Sequence, residues 1–468
     1  MASHHDVPAQ VRTSPSSGKH FLSGKTIIIA GGGVAGSAFA ASLQSLWHQN
    51  RATASSLPPS LIIYDRDQED IHKQREGYSL SLTANEGTGG LLALQRVGLV
   101  NQVVGAAVSG LEGKGCFKLW GPDWSEQVAF RQPIPEGLPA SNVRIARKEL
   151  RRVLHESCKL GCGVRWNRRC VATARLPNGR LGVKVVRGMP EQEGPDDEAI
   201  DIGEDDGDVE MVECDLLVAA DGAHSELRQA LRPEEILKYS GAVLRGGLSR
   251  FDNNSIPKPL DEDWGFAVSG TGVTCFCSPV DANSLVWTVG NLESKRIPRL
   301  DLEDEQQVED LISQARELGK MFHEPFSTVV DHTDRSTVMC INAEDKLPFS
   351  HSAKQLSDAP IVFIGDANHA LSPFAGVGAN LALWDGYDLA RCLVNGGDDQ
   401  SCSVDNDNGG NLLRAVEAYD AVSVPRATKV VENARKKLML GHSTGWKYWL
   451  FWLIMLTARM VRRVLGRP

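Results

Sequence analysis

The stretch from Ile361 to Gly386 constrains the fold of this chain more than any other, because a strand, a glycine-rich turn and a helix follow one another there. The apolar run Ile361 to Ile364 predicts a buried strand that ends at Gly365-Asp366. Small residues come next, and apolar periodicity predicts a helix that begins near Ala379. The N–H groups at such a helix start attract electron-rich ligands, since the helix dipole favours negative charge there. The segment therefore predicts a ligand site at the end of a buried strand.

A second strand–turn–helix segment lies near the N-terminus. The apolar, β-branched run Thr26 to Ala30 is followed at once by Gly31-Gly-Gly-Val-Ala-Gly36 and by a helix of small residues. In this pattern Gly31 makes the turn, Gly33 lets a pyrophosphate come close, and Gly36 allows contact between helix and strand. The segment predicts a dinucleotide-binding βαβ unit.

The next predicted strand supports the same interpretation. It runs over Leu61 to Tyr64 and ends in Asp65, where an acid hydrogen-bonds the adenosine ribose in such folds. The distance from Gly36 to Asp65 is longer than usual. The Ser/Thr/Pro-rich piece over residues 51–60 explains the excess as a surface loop.

Two further segments carry candidate site residues. A third buried strand ends in Asp221-Gly222, and a helix start with Arg228 follows it. A predicted amphipathic helix opens at Arg147. We interpret its Arg151 and Arg152 as residues of a solvated helix face.

Together these segments resemble, in order, the FAD motifs of the class A, or aromatic-hydroxylase-type, FAD-dependent monooxygenases. The chain looks similar to the tetracycline-modifying and salicylate-type hydroxylases. The resemblance implies an α/β fold, namely a Rossmann-like FAD/NAD(P)-binding domain with an inserted antiparallel-sheet substrate domain and a helical C-terminus. It also implies the reaction: NADPH or NADH reduces FAD, and oxygen from O₂ passes through a flavin C4a-hydroperoxide to a small organic substrate, which is hydroxylated or epoxidised.

The resemblance implies a noncovalent FAD site. Asp65 would hold ribose, Arg66 would lie over the adenine, and Arg147 and Asp366 would hold the ribityl–pyrophosphate region. The full set of cofactor-binding residues is Gly31, Gly33, Gly36, Asp65, Arg66, Arg147, Asp221, Asp366, Gly376, Val377 and Gly378. His369 invites a catalytic-base interpretation, but a structural role is more usual in this motif. No catalytic residue and no metal site are assigned.

Two other functions stay open beside the leading one. A membrane-associated flavin epoxidase or reductase acting on an isoprenoid would suit the basic, aromatic C-terminus. A non-catalytic FAD-fold scaffold would be expected to show eroded motifs, whereas the motifs here are intact.

The predicted organisation is a nucleotide lobe with insertions. Residues 24–235 and 342–395 form the FAD-binding domain, and strand-rich residues 236–341 form the substrate domain with one helix, Glu303 to Met321. Residues 1–23 are expected to be a disordered tail, 186–212 an acidic disordered insertion, and 412–468 C-terminal helices with a basic aromatic tail.

The composition indicates which ligands and which cellular compartment to expect. The net charge of −9 comes largely from the acidic insertion, and no basic–aromatic pattern indicates nucleic acid. Ten cysteines without metal-ligand spacing indicate reduced thiols in an intracellular, cytoplasmic protein. The N-terminus lacks the apolar core of a signal peptide.

The C-terminal segment Tyr448 to Leu456 is apolar on every face and has basic residues on both sides. It is too short to span a bilayer, which needs ~20 apolar residues. It suits either peripheral contact with a membrane surface or packing on the substrate domain. We expect packing, because Gly441 and Gly445 interrupt the apolar run upstream.

Overall fold

The computed structural model describes residues 19–50, 53–69, 78–111, 114–158, 163–188, 209–396 and 408–464. The strands of this part of the chain are β1 (Thr26–Ala30), β2 (Ser60–Asp65), β3 (Ser79–Thr83), β4 (Phe117–Trp120), β5 (Glu126–Phe130), β6 (Asn142–Ala146), β7 (Val164–Trp166), β8 (Arg168–Arg175), β9 (Leu181–Arg187), β10 (Val209–Cys214), β11 (Leu216–Ala219), β12 (Lys238–Arg250), β13 (Trp264–Val268), β14 (Val273–Pro279), β15 (Ser284–Leu292), β16 (Thr333–Asp345) and β17 (Ile361–Phe363).

The helices, numbered over the described residues, are α1 (Val34–Gln49), α2 (Gly90–Arg96), α3 (Val100–Gly105), α4 (Arg147–Ser157), α5 (Glu226–Leu231), α6 (Glu305–Leu318), α7 (Phe326–Asp331), α8 (Ala353–Asp358), α9 (Gly378–Asn395), α10 (Asn408–Gly441) and α11 (Gly445–Val464). Short 3₁₀ helices span Gly365–Ala367 and Pro373–Ala375.

A parallel five-stranded sheet forms the centre of the nucleotide lobe. Its order is β17-β11-β1-β2-β7, and every described pairing in it is parallel. Ile27, Ile28 and Ile29 of β1 are fully buried, because helices and strands cover both faces of the sheet. The expected α/β fold is thereby confirmed. The three glycine-containing motifs and Asp65 follow the carboxyl ends of β1, β2, β11 and β17, so they meet at one edge of the sheet, whereas Arg147 follows β6 of a separate two-stranded sheet.

A seven-stranded mixed sheet forms the second lobe, in the order β16-β12-β15-β14-β13-β4-β5. The predicted range 236–341 contains most of it but omits β4 and β5, which come from a distant part of the chain: β4 pairs with β13, and β5 pairs with β4. Strand β16 also continues to Asp345. A boundary drawn along the sequence misses such long-range pairing.

Both of the segments predicted to be disordered, 1–23 and 186–212, contain ordered residues at their ends. Residues 19–23 are described, and Phe21 and Leu22 are buried in the core of the nucleotide lobe. Strands β9 and β10 pair antiparallel with Val186 opposite Val209, so the ends of the predicted 186–212 insertion are regular strand. Residues 1–18 and 189–208 lie outside the described part of the chain.

The C-terminus consists of two helices, as expected, although the first begins at Asn408 rather than near 412. The predicted break is present, since α10 ends at Gly441 and α11 begins at Gly445. Among the described helices, none combines the length and the hydropathy that crossing a bilayer requires.

Candidate functional site

The glycines of the motifs divide into two groups by what surrounds them. Gly31 has a φ of +103°, and a Cβ on it would lie 2.3 Å from the Ala220 carbonyl oxygen. A Cβ on Gly36 would lie 2.1 Å from the Gly31 oxygen. These two glycines are therefore required by packing. In contrast, a Cβ on Gly33, Gly376 or Gly378 would meet no atom within 4 Å, so these three border open space where a ligand fits.

Two helix N-termini point their free N–H groups into this open space. Helix α1 begins after Gly33 and helix α9 after Val377, and neither N-cap residue makes a side-chain hydrogen bond. Uncapped N–H groups at a helix start favour a bound anion. The first suits a pyrophosphate, and the second suits the N1–C2=O edge of a reduced isoalloxazine.

Asp366 faces the same space. Its side chain is exposed, although the protein atoms around it raise the pKa of the carboxyl group. His369, Arg147 and Arg228 oppose this rise through their positive charge. Arg147, whose guanidinium lies 6.0 Å from the centre of the Tyr78 ring, is close enough to Asp366 for its charge to lower the pKa of that carboxyl group.

Asp221 and Arg228 connect the motif after β11 to the motif after β17. Burial raises the pKa of Asp221 to about 6. One of its oxygens accepts the Leu227 N–H at 3.3 Å, and the other has no partner among the described residues. The buried Arg228 donates to the carbonyl oxygens of Asp366 and Ala367 at 3.3 and 2.9 Å. Arg228 therefore fixes the backbone on which Asp366 sits.

A buried arginine, Arg151, holds Asp65 in place. Arg151 is 1% exposed, and it pairs with Asp65 at 3.1 Å and with Asp67 at 2.9 Å. The interpretation of Arg151 as a solvated residue is wrong, because α4 turns that side toward β2. Arg152 is half exposed and pairs within its own helix, with Glu149 and Glu156.

The Asp65 carboxylate also accepts the Gly32 N–H at 2.7 Å, which joins the ends of β1 and β2. These contacts orient Asp65 at the sheet edge, and its contact with ribose stays a proposal. Arg66 is half-buried beside it.

His369 lies behind the motif and belongs to a buried network. Its Nε2 is 2.6 Å from Asp385, which also accepts the Gly365 N–H at 3.0 Å. Burial alone would raise the pKa of Asp385, but His369 and Arg426 lower it below its ordinary value. This geometry favours a structural role for His369, while its Nδ1 has no partner among the described residues.

Phe374 joins the two lobes at the turn before α9. Its ring stacks on Phe266 of β13 at 6.4 Å between centroids, and it meets the edge of the buried His442 at 5.0 Å. The His442 Nδ1 lies 2.8 Å from the Leu438 carbonyl oxygen. His442 therefore fixes the end of α10 against the motif, a role that no local sequence pattern indicated.

Arg144 is a second residue that the sequence did not reveal. Burial lowers the pKa of its guanidinium to about 9, and it donates to Ser81 and Ser79 on β3. Its centre lies 5.7 Å from the Phe276 ring on the second sheet. Only the pairing of β3 with β6 brings these groups together.

The residues present fit FAD. The open glycines, the two uncapped helix starts and the exposed carboxylate of Asp366 follow the edge of the sheet in the order that a dinucleotide would occupy. A flavin bound there supplies the redox chemistry, and the protein supplies its position and electrostatic surroundings.

Comparison with known proteins agrees with this geometry. Residues 186–400 match the family described as FAD binding domain. The monooxygenase cfoF of Aspergillus candidus is 36% identical over 430 residues, which cover 91% of this chain and 93% of the relative. The aurachin C monooxygenase/isomerase of Stigmatella aurantiaca is 25% identical over 418 residues, which cover 89% of this chain and 90% of that protein.

A solved structure shares the fold. It is HpxO of Klebsiella pneumoniae in complex with FAD and uric acid, with a TM-score of 0.63 at 19% identity over 92% of each chain. The chain belongs to the class A FAD-dependent monooxygenases. It is accordingly an oxidoreductase that uses FAD and a reduced nicotinamide.

Proposed function

We propose that this enzyme hydroxylates a small aromatic compound, such as a secondary metabolite, with NAD(P)H and O₂ as co-substrates. The observation that carries the proposal is a wall of half-buried aromatic rings beside the flavin motif. Phe266 lies 5.0 Å from Phe276 and 6.2 Å from Phe117, while its other side meets Phe374. Large apolar side chains that stay partly open next to a cofactor site favour a flat, apolar ligand.

The chain's own residues would act by placing and shielding the reactants. Phe374 and Phe266 would exclude water from the space above the flavin, and the N–H groups at the start of α9 would stabilise negative charge on its N1–C2=O edge. Arg147 and Asp366 would fix the ribityl chain. We assign no general base.

The proposal extends to the cellular setting. The eight described cysteines are free thiols, which supports a reducing, cytoplasmic environment. Peripheral contact with a membrane through Tyr448 to Leu456 belongs to the same proposal.

A substrate screen tests the function. We expect planar aromatic compounds to accelerate NAD(P)H oxidation by the purified holoenzyme and to gain one hydroxyl oxygen from ¹⁸O₂. An isoprenoid that alone stimulates turnover would favour the membrane-associated epoxidase instead. Absence of stimulation by any aromatic compound, with FAD bound, would contradict the proposed substrate class.

A further inference from the structure

A large apolar surface is left uncovered at the C-terminus. It consists of exposed side chains at the end of α10 and along α11, with Trp446 70% and Trp449 71% exposed. We call it the C-terminal apolar face, and its members are Met439, Leu440, Trp446, Trp449, Leu450, Leu453, Ile454 and Leu456. Soluble proteins rarely leave such a contiguous face in water, so it indicates a partner surface.

The opposite side of α11 is firmly packed on the second sheet. Trp452 is buried in one cluster with Val128 and Val268, and Tyr448 and Phe451 pack against that cluster. Thr444 forms a β-bridge with Thr271 just before the helix begins. The predicted packing is therefore confirmed, but it uses only one side of the helix. Because α11 is held in this way, the C-terminal apolar face is a fixed outward surface.

The charges next to the face along the sequence are all positive. The exposed side chains of Lys436, Lys437 and Lys447 flank it. From Asn433 to Pro468 the sequence has eight Lys or Arg residues and no Asp or Glu. Two copies of this chain meeting through the face would bring like charges together, which disfavours self-association. An anionic phospholipid bilayer, in contrast, offers an apolar acyl-chain region directly beneath negatively charged headgroups.

We infer that the C-terminal apolar face docks α11 flat on the surface of an anionic phospholipid bilayer. Trp446 and Trp449 lie at the headgroup level, where tryptophan is enriched, and the aliphatic side chains enter the acyl boundary. The flanking lysines meet lipid phosphates and carboxylates. The helix lies on the membrane and does not span it. Helix α11 packs against β13, whose Phe266 contacts Phe374, so the docked helix lies next to the candidate site.

Sedimentation with vesicles tests the inference on the full-length, FAD-loaded protein. The probes are vesicles of phosphatidylcholine alone and vesicles that contain phosphatidylserine as well. The test variant carries Trp449→Glu and Leu453→Glu, which change only exposed side chains. The matched control is Leu57→Glu, since Leu57 is 69% exposed and lies on the nucleotide lobe.

We expect the native protein and the Leu57→Glu control to sediment with the phosphatidylserine vesicles at low salt. The double variant should lose at least tenfold in vesicle affinity while it keeps its melting temperature and its FAD. A native protein that stays in the supernatant with both lipids would overturn the inference. Equal binding to both lipids would overturn its electrostatic part, and a dimer that only the double variant disrupts would identify a second copy as the occupant instead.

Discussion

At the scale of single residues, the two groups of glycines have different roles: one group borders the ligand site, and the other is required for folding. Gly33 has an ordinary extended conformation and faces open space, whereas Gly36 touches backbone. We predict that Gly33→Val folds normally but loses FAD, because its side chain fills the place of the pyrophosphate. Gly36→Val should instead lower the melting temperature or prevent folding. Flavin content and thermal unfolding measure both, and a Gly33→Val protein with full flavin content would contradict the assignment.

Arg151 provides a second residue-scale prediction. Removing one member of a buried ion pair leaves an uncompensated charge, which costs about 3–5 kcal/mol. Arg151→Met would remove the buried cation that pairs with both Asp65 and Asp67, so we expect a loss of that order in the free energy of unfolding. Arg152→Met, on the exposed face of the same helix, should change it by less than about 1 kcal/mol. Urea unfolding of the two variants makes the comparison, and similar small effects would show that the Arg151 pairs do not matter for stability.

The raised pKa of Asp221 predicts a pH dependence. Burial lifts its pKa from 3.8 to about 6, so the native protein binds this proton more tightly than the unfolded chain. The stabilising contribution is fully present below the unfolded pKa and is lost as the pH rises through about 6. In the apoprotein, Asp221→Asn should therefore gain stability relative to the native chain at pH 7.5, by up to ~3 kcal/mol, and gain less at pH 5.

Urea midpoints of the two apoproteins at both pH values measure this difference. A difference that is the same at pH 5 and pH 7.5 would contradict the assignment of the titration to Asp221.

At the scale of elements, the hairpin of β9 and β10 predicts that the acidic insertion is dispensable. Val186 and Val209 are already paired, so the two strand ends lie side by side. Replacing residues 189–208 by Gly-Gly leaves a short hairpin loop of a common length. We expect unchanged FAD content, melting temperature and turnover. Loss of turnover by a folded, flavin-loaded deletion variant would show that the acidic residues take part in function.

The sequence was most informative about elements where pattern and turn chemistry agree. The strands of the nucleotide lobe, the glycine turns and the break between Gly441 and Gly445 all follow from local signals. It was least informative where contacts come from distant parts of the chain. The addition of β4 and β5 to the second sheet is such a case, because nothing within residues 117–130 specifies β13 as the partner of β4.

The same limit applied to side chains. The burial of Arg151 depends on the position of β2, and the placement of His442 against Phe374 depends on how α10 returns across the second lobe. Each of these residues is unremarkable within its own helix. Exposure of α11 could be predicted only in part, since the sequence is apolar on every face and does not say which side meets the protein.

At the scale of the whole molecule, four strands of one parallel sheet present their motifs along a single edge. That arrangement explains why residues from Gly31 to Gly378 converge, and why the second sheet stands opposite with its aromatic wall. We conclude that this edge holds one noncovalent FAD.

The most direct test is the flavin content of the purified full-length protein after incubation with excess FAD and removal of the free cofactor. The account predicts a yellow protein with about one FAD per chain, since the site offers a single dinucleotide path. Acid precipitation should release that flavin into the supernatant. A folded protein that stays colourless after this treatment, or flavin that remains in the acid pellet, would contradict it.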